Sequence, residues 1–228
     1  LRGAFSSEEA GINQFRFPEV AGHLRWQSDL FEVWDEDTPP YGGQASVEFS
    51  MAQLGAEDPG EAIFDVGYER LRLAELAQAL ELRGIRPRGQ ATGQNRLQWP
   101  LGEFDAYKSE GRIALVPPAD IQVATNEIPP ETDVLVAGRA GQPADLTTRT
   151  FPFGGGVEYS IGDGWTELTN GRLATASTHV VFEGRTRAGA ESRIPFKVVS
   201  RNWQESDRLM SAVMTAVGAV TYPFAVDG

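Results

Sequence analysis

The sequence contains no cysteine. That absence removes disulfides, thiolate nucleophiles, zinc ribbons and iron–sulfur clusters together, and it fixes no redox compartment. Histidine is nearly absent as well: His23 and His179 lie far apart and share no metal-ligand spacing. Lysine is the third shortage. Of 20 basic residues only Lys108 and Lys197 are lysine, leaving 18 arginines against 32 acidic residues and a net charge of −12. A surface of that sign repels nucleic-acid backbones and anionic membranes. Many carboxylates with so little lysine fit a GC-rich genome or a protein working in high salt. No stretch approaches about 18 consecutive apolar residues, so no membrane-spanning helix is expected. The segment Leu1 to Glu9 has no apolar core of the kind a secretory signal carries.

What is present suffices for an ordinary core. A chain of 228 residues, 41% of them hydrophobic, can bury roughly 70% of its unfolded surface without staples. Residues 1–14 are polar and mixed, an extended arm preceding one β-rich unit over 15–228. A division of that unit into two lobes near 84–100 is the alternative. Val47, Phe49 and Met51 alternate with Ser46, Glu48 and Ser50, the period of a half-buried strand. Short apolar runs bounded by turn residues recur at Phe15–Phe17, Leu24–Trp26, Leu30–Trp34, Arg96–Trp99, Arg112–Val116, Ile121–Ala124 and Val134–Val136. The proline pairs Pro117-Pro118 and Pro129-Pro130 punctuate the later ones.

Near the C-terminus, Asp163-Gly164 and Asn170-Gly171 supply the positive φ angles that tight hairpins need. They predict a three-stranded meander over Val157–Glu183, followed by a strand at Ile194–Val198. Two stretches change period. Asp58-Pro59-Gly60-Glu61 has the order of a helix start. Leu73, Leu76, Ala77 and Leu80 then follow at helical spacing before Gly84. Asn202 and Glu205 cap a second candidate helix with Leu209, Val213 and Val217 on one face. The sequence therefore predicts a mainly β fold, an antiparallel sandwich or jelly roll, with two helices at about 68–83 and 203–218. Residues 222–226 read as a final strand, and the segment from Ile85 to Arg96 as a loop.

No motif carries a reaction. Gly154-Gly155-Gly156 lacks the Gly-Lys-Ser/Thr and the following helix of a phosphate loop. Asp35, Glu36 and Asp37 lack the alternating ligands of a calcium loop and read as a solvated turn. Ser177 and His179 are near in sequence, but no Gly-x-Ser-x-Gly elbow exists. Paired glycosidase-type carboxylates have no short signature. The chain is accordingly read as non-enzymatic, without cofactor or metal.

One departure from the charge pattern stands out. Between Glu81 and Glu103 there is no acid, while Arg83, Arg86, Arg88 and Arg96 occur. A second basic stretch holds Arg185, Arg187, Arg193, Lys197 and Arg201. On an acidic body such segments suit contacts with other acidic subunits, including copies of the same chain. The function expected from sequence is a self-assembling structural subunit, a capsid or tail component of a virion, in a halophilic system. A carbohydrate- or ligand-binding β module is the alternative, because Trp26, Trp34, Trp99, Trp165 and Trp203 could furnish stacking platforms. A carboxylate-dependent hydrolase ranks third.

Overall fold

Strand-period alternation governs most of the chain, and the backbone follows it. The structure, a computed structural model, describes residues 1–12, 15–55, 59–79, 86–123, 150–187 and 194–201. Its strands are β1 (Arg2–Ile12), β2 (Phe15–Trp26), β3 (Leu30–Thr38), β4 (Gln44–Ala52), β5 (Glu61–Arg72), β6 (Arg86–Arg88), β7 (Gln90–Pro100) and β8 (Lys108–Val116), followed by β9 (Thr150–Pro152), β10 (Gly154–Gly162), β11 (Trp165–Ala174), β12 (Thr178–Arg187) and β13 (Phe196–Ser200). Eleven of them form one sheet in the order β1-β2-β3-β4-β5-β7-β8-β10-β11-β12-β13, every pair antiparallel. At about 4.8 Å per strand the sheet spans roughly 50 Å between its outer members. The mainly antiparallel β architecture is thus established, as one open sheet among the described residues. Residues 2–12 are extended and paired with β2 along their length, and β7 lies in mid-sheet, bonded on both sides.

The helix expected over 68–83 begins later. Tyr68–Arg72 continues β5, and the helical residues among those described are Leu73–Ala79 (α1); residues 80–83 lie outside the described residues. The cause is a β-bulge: the register with β7 shifts between Tyr68 and Leu71, with Arg70 at φ 55°. A bulge inserts one residue and reverses the alternation, so Tyr68 and Leu71 share a face at a spacing of three. That spacing imitates a helix. Glu61, read as part of a helix start, opens β5 instead. The second helix, residues 203–218, the final strand at 222–226 and the run at 134–136 lie outside the described residues.

Three further expectations are corrected. Asp163-Gly164 does form the β10–β11 turn, with φ of 52° and 74°. Asn170-Gly171 does not turn the chain. It is a bulge inside β11, where the register shifts between Leu168 and Gly171. The β11–β12 connection comes later, where Thr175 N–H donates to Thr178 O at 2.8 Å. Residues 85–96, read as loop, instead hold β6 and most of β7. Ile121 sits in a turn, its N–H bonded to Pro118 O; residues 121–123 form no strand.

The best-packed part of the core is at one end of the sheet. A single ladder runs Leu71, Ala91, Leu115, Gly155, Leu173, Val180, Val198 from β5 to β13. Leu73 from the start of α1 and Phe153 beside β10 close over it, both buried. The parallel pair β6–β9 sits beside this end, with Phe153 N–H bonded to Arg88 O and Leu73 N–H to Gly89 O.

The two faces of the sheet as the candidate functional site

Register sorts the side chains into two unlike faces. One ladder on the first face reads Glu48, Asp65, Arg96, Glu110, Ser160, Glu167, Arg185 from β4 to β12. Its neighbour adds Gln94, Arg112 and Glu158. These charges meet one another. Arg96 contacts Asp65 at 2.9 Å, Arg112 donates to Gln94 at 3.3 Å and Asn170 to Glu158 at 2.9 Å. An open trough of about 1200 Å³ crosses this face, lined by Ser46, Gly67, Thr92, Arg112, Glu158 and Arg172 among others. Cross-strand charge pairs this exposed stabilise by only about 0–1 kcal/mol each.

The opposite face carries no charge from β4 to β12 among the described residues. Its positions are Ala45, Val47, Phe49 and Met51 on β4, then Ala62, Phe64, Val66 and Tyr68 on β5. Ala91, Gly93, Asn95, Leu97 and Trp99 follow on β7, then Ser109, Gly111, Ile113 and Leu115 on β8. β10 continues it with Val157, Tyr159 and Ile161, and β12 with Val180 and Phe182. Most of the large side chains here are half-buried rather than enclosed. Away from α1 an unbroken run of rings crosses the strands: Trp26–Phe31 at 5.8 Å, Phe31–Phe49 at 6.2 Å, Phe49–Trp99 at 6.1 Å, Trp99–Phe104 at 5.2 Å and Phe104–Tyr107 at 5.6 Å. Phe49 and Trp99 stack although β5 lies between their strands, which fully buries Ala62. Trp26, at one end, and Phe104, next to the other, are more than half exposed.

Hydroxyls interrupt this face at its centre. Tyr159 O–H and Ser109 O–H both donate to Asn95 Oδ1, at 2.7 and 2.8 Å. Two glycines allow the tyrosines to lie flat. A Cβ on Gly93 would fall 2.6 Å from the Tyr68 hydroxyl oxygen, and one on Gly111 2.7 Å from that of Tyr159. Burial pushes both phenols up, and at Tyr68 the neighbouring Tyr159 adds to it. Both are therefore neutral hydrogen-bond donors at any ordinary pH.

The residues singled out in the sequence do not gather into one patch. Arg86 and Arg88 are exposed on β6, while Arg83 and Arg193 lie outside the described residues. Arg96 belongs to the charged face, paired with Asp65. Arg185 and Arg187 lie over the Trp165 ring, at 3.9 and 5.6 Å from its centroid, which makes that tryptophan an arginine platform. Gly154-Gly155-Gly156 opens β10, where Gly155 (φ 124°) lies against the Arg172 backbone; no helix follows. Asp35, Glu36 and Asp37 belong to β3 rather than to a turn. Ser177 approaches the Thr178 hydroxyl at 3.5 Å, in a turn built on Thr175 Oγ1. Among the described residues no group of three His, Asp or Glu could hold a metal ion. No family model, curated protein or solved structure matches this chain. The uncharged face was missed in the sequence reading, although the alternation of β4 and β8 signals it strand by strand. Only register assembles it.

Proposed function

We propose that this chain is a non-catalytic β module that holds an elongated, uncharged apolar ligand, such as a hydrocarbon chain, along one face of its sheet. The observation that carries the reading is the segregation of charge from β4 to β12: over those seven strands of the sheet every ionised ladder lies on one face, and the other is uncharged and half-open. A core built only for stability would bury Phe49, Trp99 and Leu97 fully, since burial stabilises by about 25 cal/mol per Å² of apolar surface. A hydrocarbon chain laid across the strands completes that burial and brings no charge to a body at −12. A second copy placed face to face, the sandwich arrangement, would bring two such bodies together against mutual repulsion. Titration with the uncharged fluorescent polyene diphenylhexatriene tests the reading. Wild type should enhance its emission saturably, and Met51→Glu, which sets a carboxylate on that face, should weaken binding at least about tenfold. Absence of saturable enhancement by the wild type refutes it.

A second reading, the self-assembling structural subunit of capsid or tail type, is favoured by one specific feature. β1 and β13 each have a single sheet partner among the described residues, and unpaired strand edges template pairing with further strands. Sedimentation across a salt series distinguishes the two: a large defined assembly supports the second, a salt-independent monomer the first.

A further inference from the structure

We infer that the cluster of Tyr68, Asn95 and Tyr159 is a recognition point for a carbonyl oxygen, so that the ligand of the uncharged face is an acyl ester or amide rather than a plain hydrocarbon. This rests on the reading above and adds a chemical class to it. Tyr68 reaches from β5 across Gly93, and Tyr159 reaches from β10 across Gly111. The two rings therefore point toward each other across β7 and β8. Asn95 sits on β7. Its Oδ1 is saturated by the Ser109 and Tyr159 hydroxyls, which leaves the two Nδ2 protons as donors.

The Tyr68 hydroxyl likewise has no hydrogen-bond partner among the described residues. The cluster thus presents three unspent donors, two from Asn95 and one from Tyr68, on a face without charge. Donors in excess call for an acceptor. A neutral carbonyl satisfies them with no charge to desolvate, whereas a carboxylate would enter an uncharged apolar surface at high cost. The raised phenol of Tyr68 agrees with a neutral donor. Gly93 and Gly111 have a part in this: any side chain there would lift the rings.

The test compares two probes of equal chain length, methyl decanoate and dodecane, each displacing diphenylhexatriene from wild type, Tyr68→Phe and Asn95→Ala. Phenylalanine keeps the ring over Gly93, and alanine removes the amide without touching either ring. The expected result is that each substitution lowers the ester-to-alkane affinity ratio about tenfold, the effect of one or two hydrogen bonds, with dodecane affinity unchanged. An unchanged ratio in both variants overturns the inference and leaves the apolar-face reading standing. Parallel loss of both probes also overturns it, by showing that these side chains only maintain the face. If neither probe displaces the dye from wild type, the apolar-face reading itself falls, and this inference with it.

Discussion

Gly93 and Gly111 show at the scale of single residues what the sequence conveyed and what it did not. Glycine within an apparently polar stretch reads as loop, as residues 85–96 do. In the sheet each glycine is the floor under a tyrosine ring donated by the next strand. Register decides which ring covers which glycine, and no local pattern contains it. Replacing Gly93 by alanine puts a Cβ 2.2 Å from the Arg112 carbonyl oxygen and against the Tyr68 hydroxyl. The variant should lose about 1–3 kcal/mol, as overpacked sites do, measured by urea denaturation; a loss under about 0.5 kcal/mol would mean that the ring is not held there. The tyrosines also set a pH dependence. A phenol whose folded pKa is raised above its unfolded value of 10.0 stabilises the fold fully below that value and loses the contribution as pH rises further. Stability should therefore decline above about pH 10, and Tyr68→Phe should make the decline shallower. An identical decline in the variant would assign it to other groups.

Among the elements, legibility followed the bulges. Where a strand runs without one, alternation in the sequence matches the burial pattern, throughout β8 and over Gln44–Glu48 in β4. Where a bulge reverses the phase, as at Arg70 in β5, the pattern resembled a helix and the boundary moved by several residues. Asn170-Gly171 failed for a related reason. Positive φ serves a bulge as well as a turn, and the Asn-Gly pair does not say which. Gly171 is held by the Phe182 ring, 2.5 Å from where a Cβ would stand. The short helix α1 offers a graded test: Leu73 is buried and Leu76 only half-buried. Leu73→Ala should cost about 2–5 kcal/mol and Leu76→Ala clearly less, by denaturant midpoint at constant slope. Equal costs would contradict the way α1 caps the end ladder.

For the whole molecule, the acidic excess was the plainest sequence feature and its distribution the least visible. Composition announced the −12 charge; only the assembled register shows that the ionised ladders share a face. The arginines at Arg86 and Arg88, exposed on β6, remain the best handle on association between copies. If the unpaired edges assemble, wild type should sediment faster in molar salt, where the Debye length shrinks to about 3 Å. Arg86→Glu with Arg88→Glu should then weaken that association without altering the monomer. A monomer at every salt concentration removes self-assembly from the account.

Site-resolved quenching tests the division of faces and the ligand face together. Two variants keep a single tryptophan each, Trp99 on the uncharged face or Trp165 on the charged one, with the other tryptophans replaced by phenylalanine. Each is titrated with nitroxide-labelled methyl stearate. The account predicts saturable quenching of Trp99 and, for Trp165, no more quenching than free nitroxide causes. Equal quenching of the two, or none of Trp99, would contradict it.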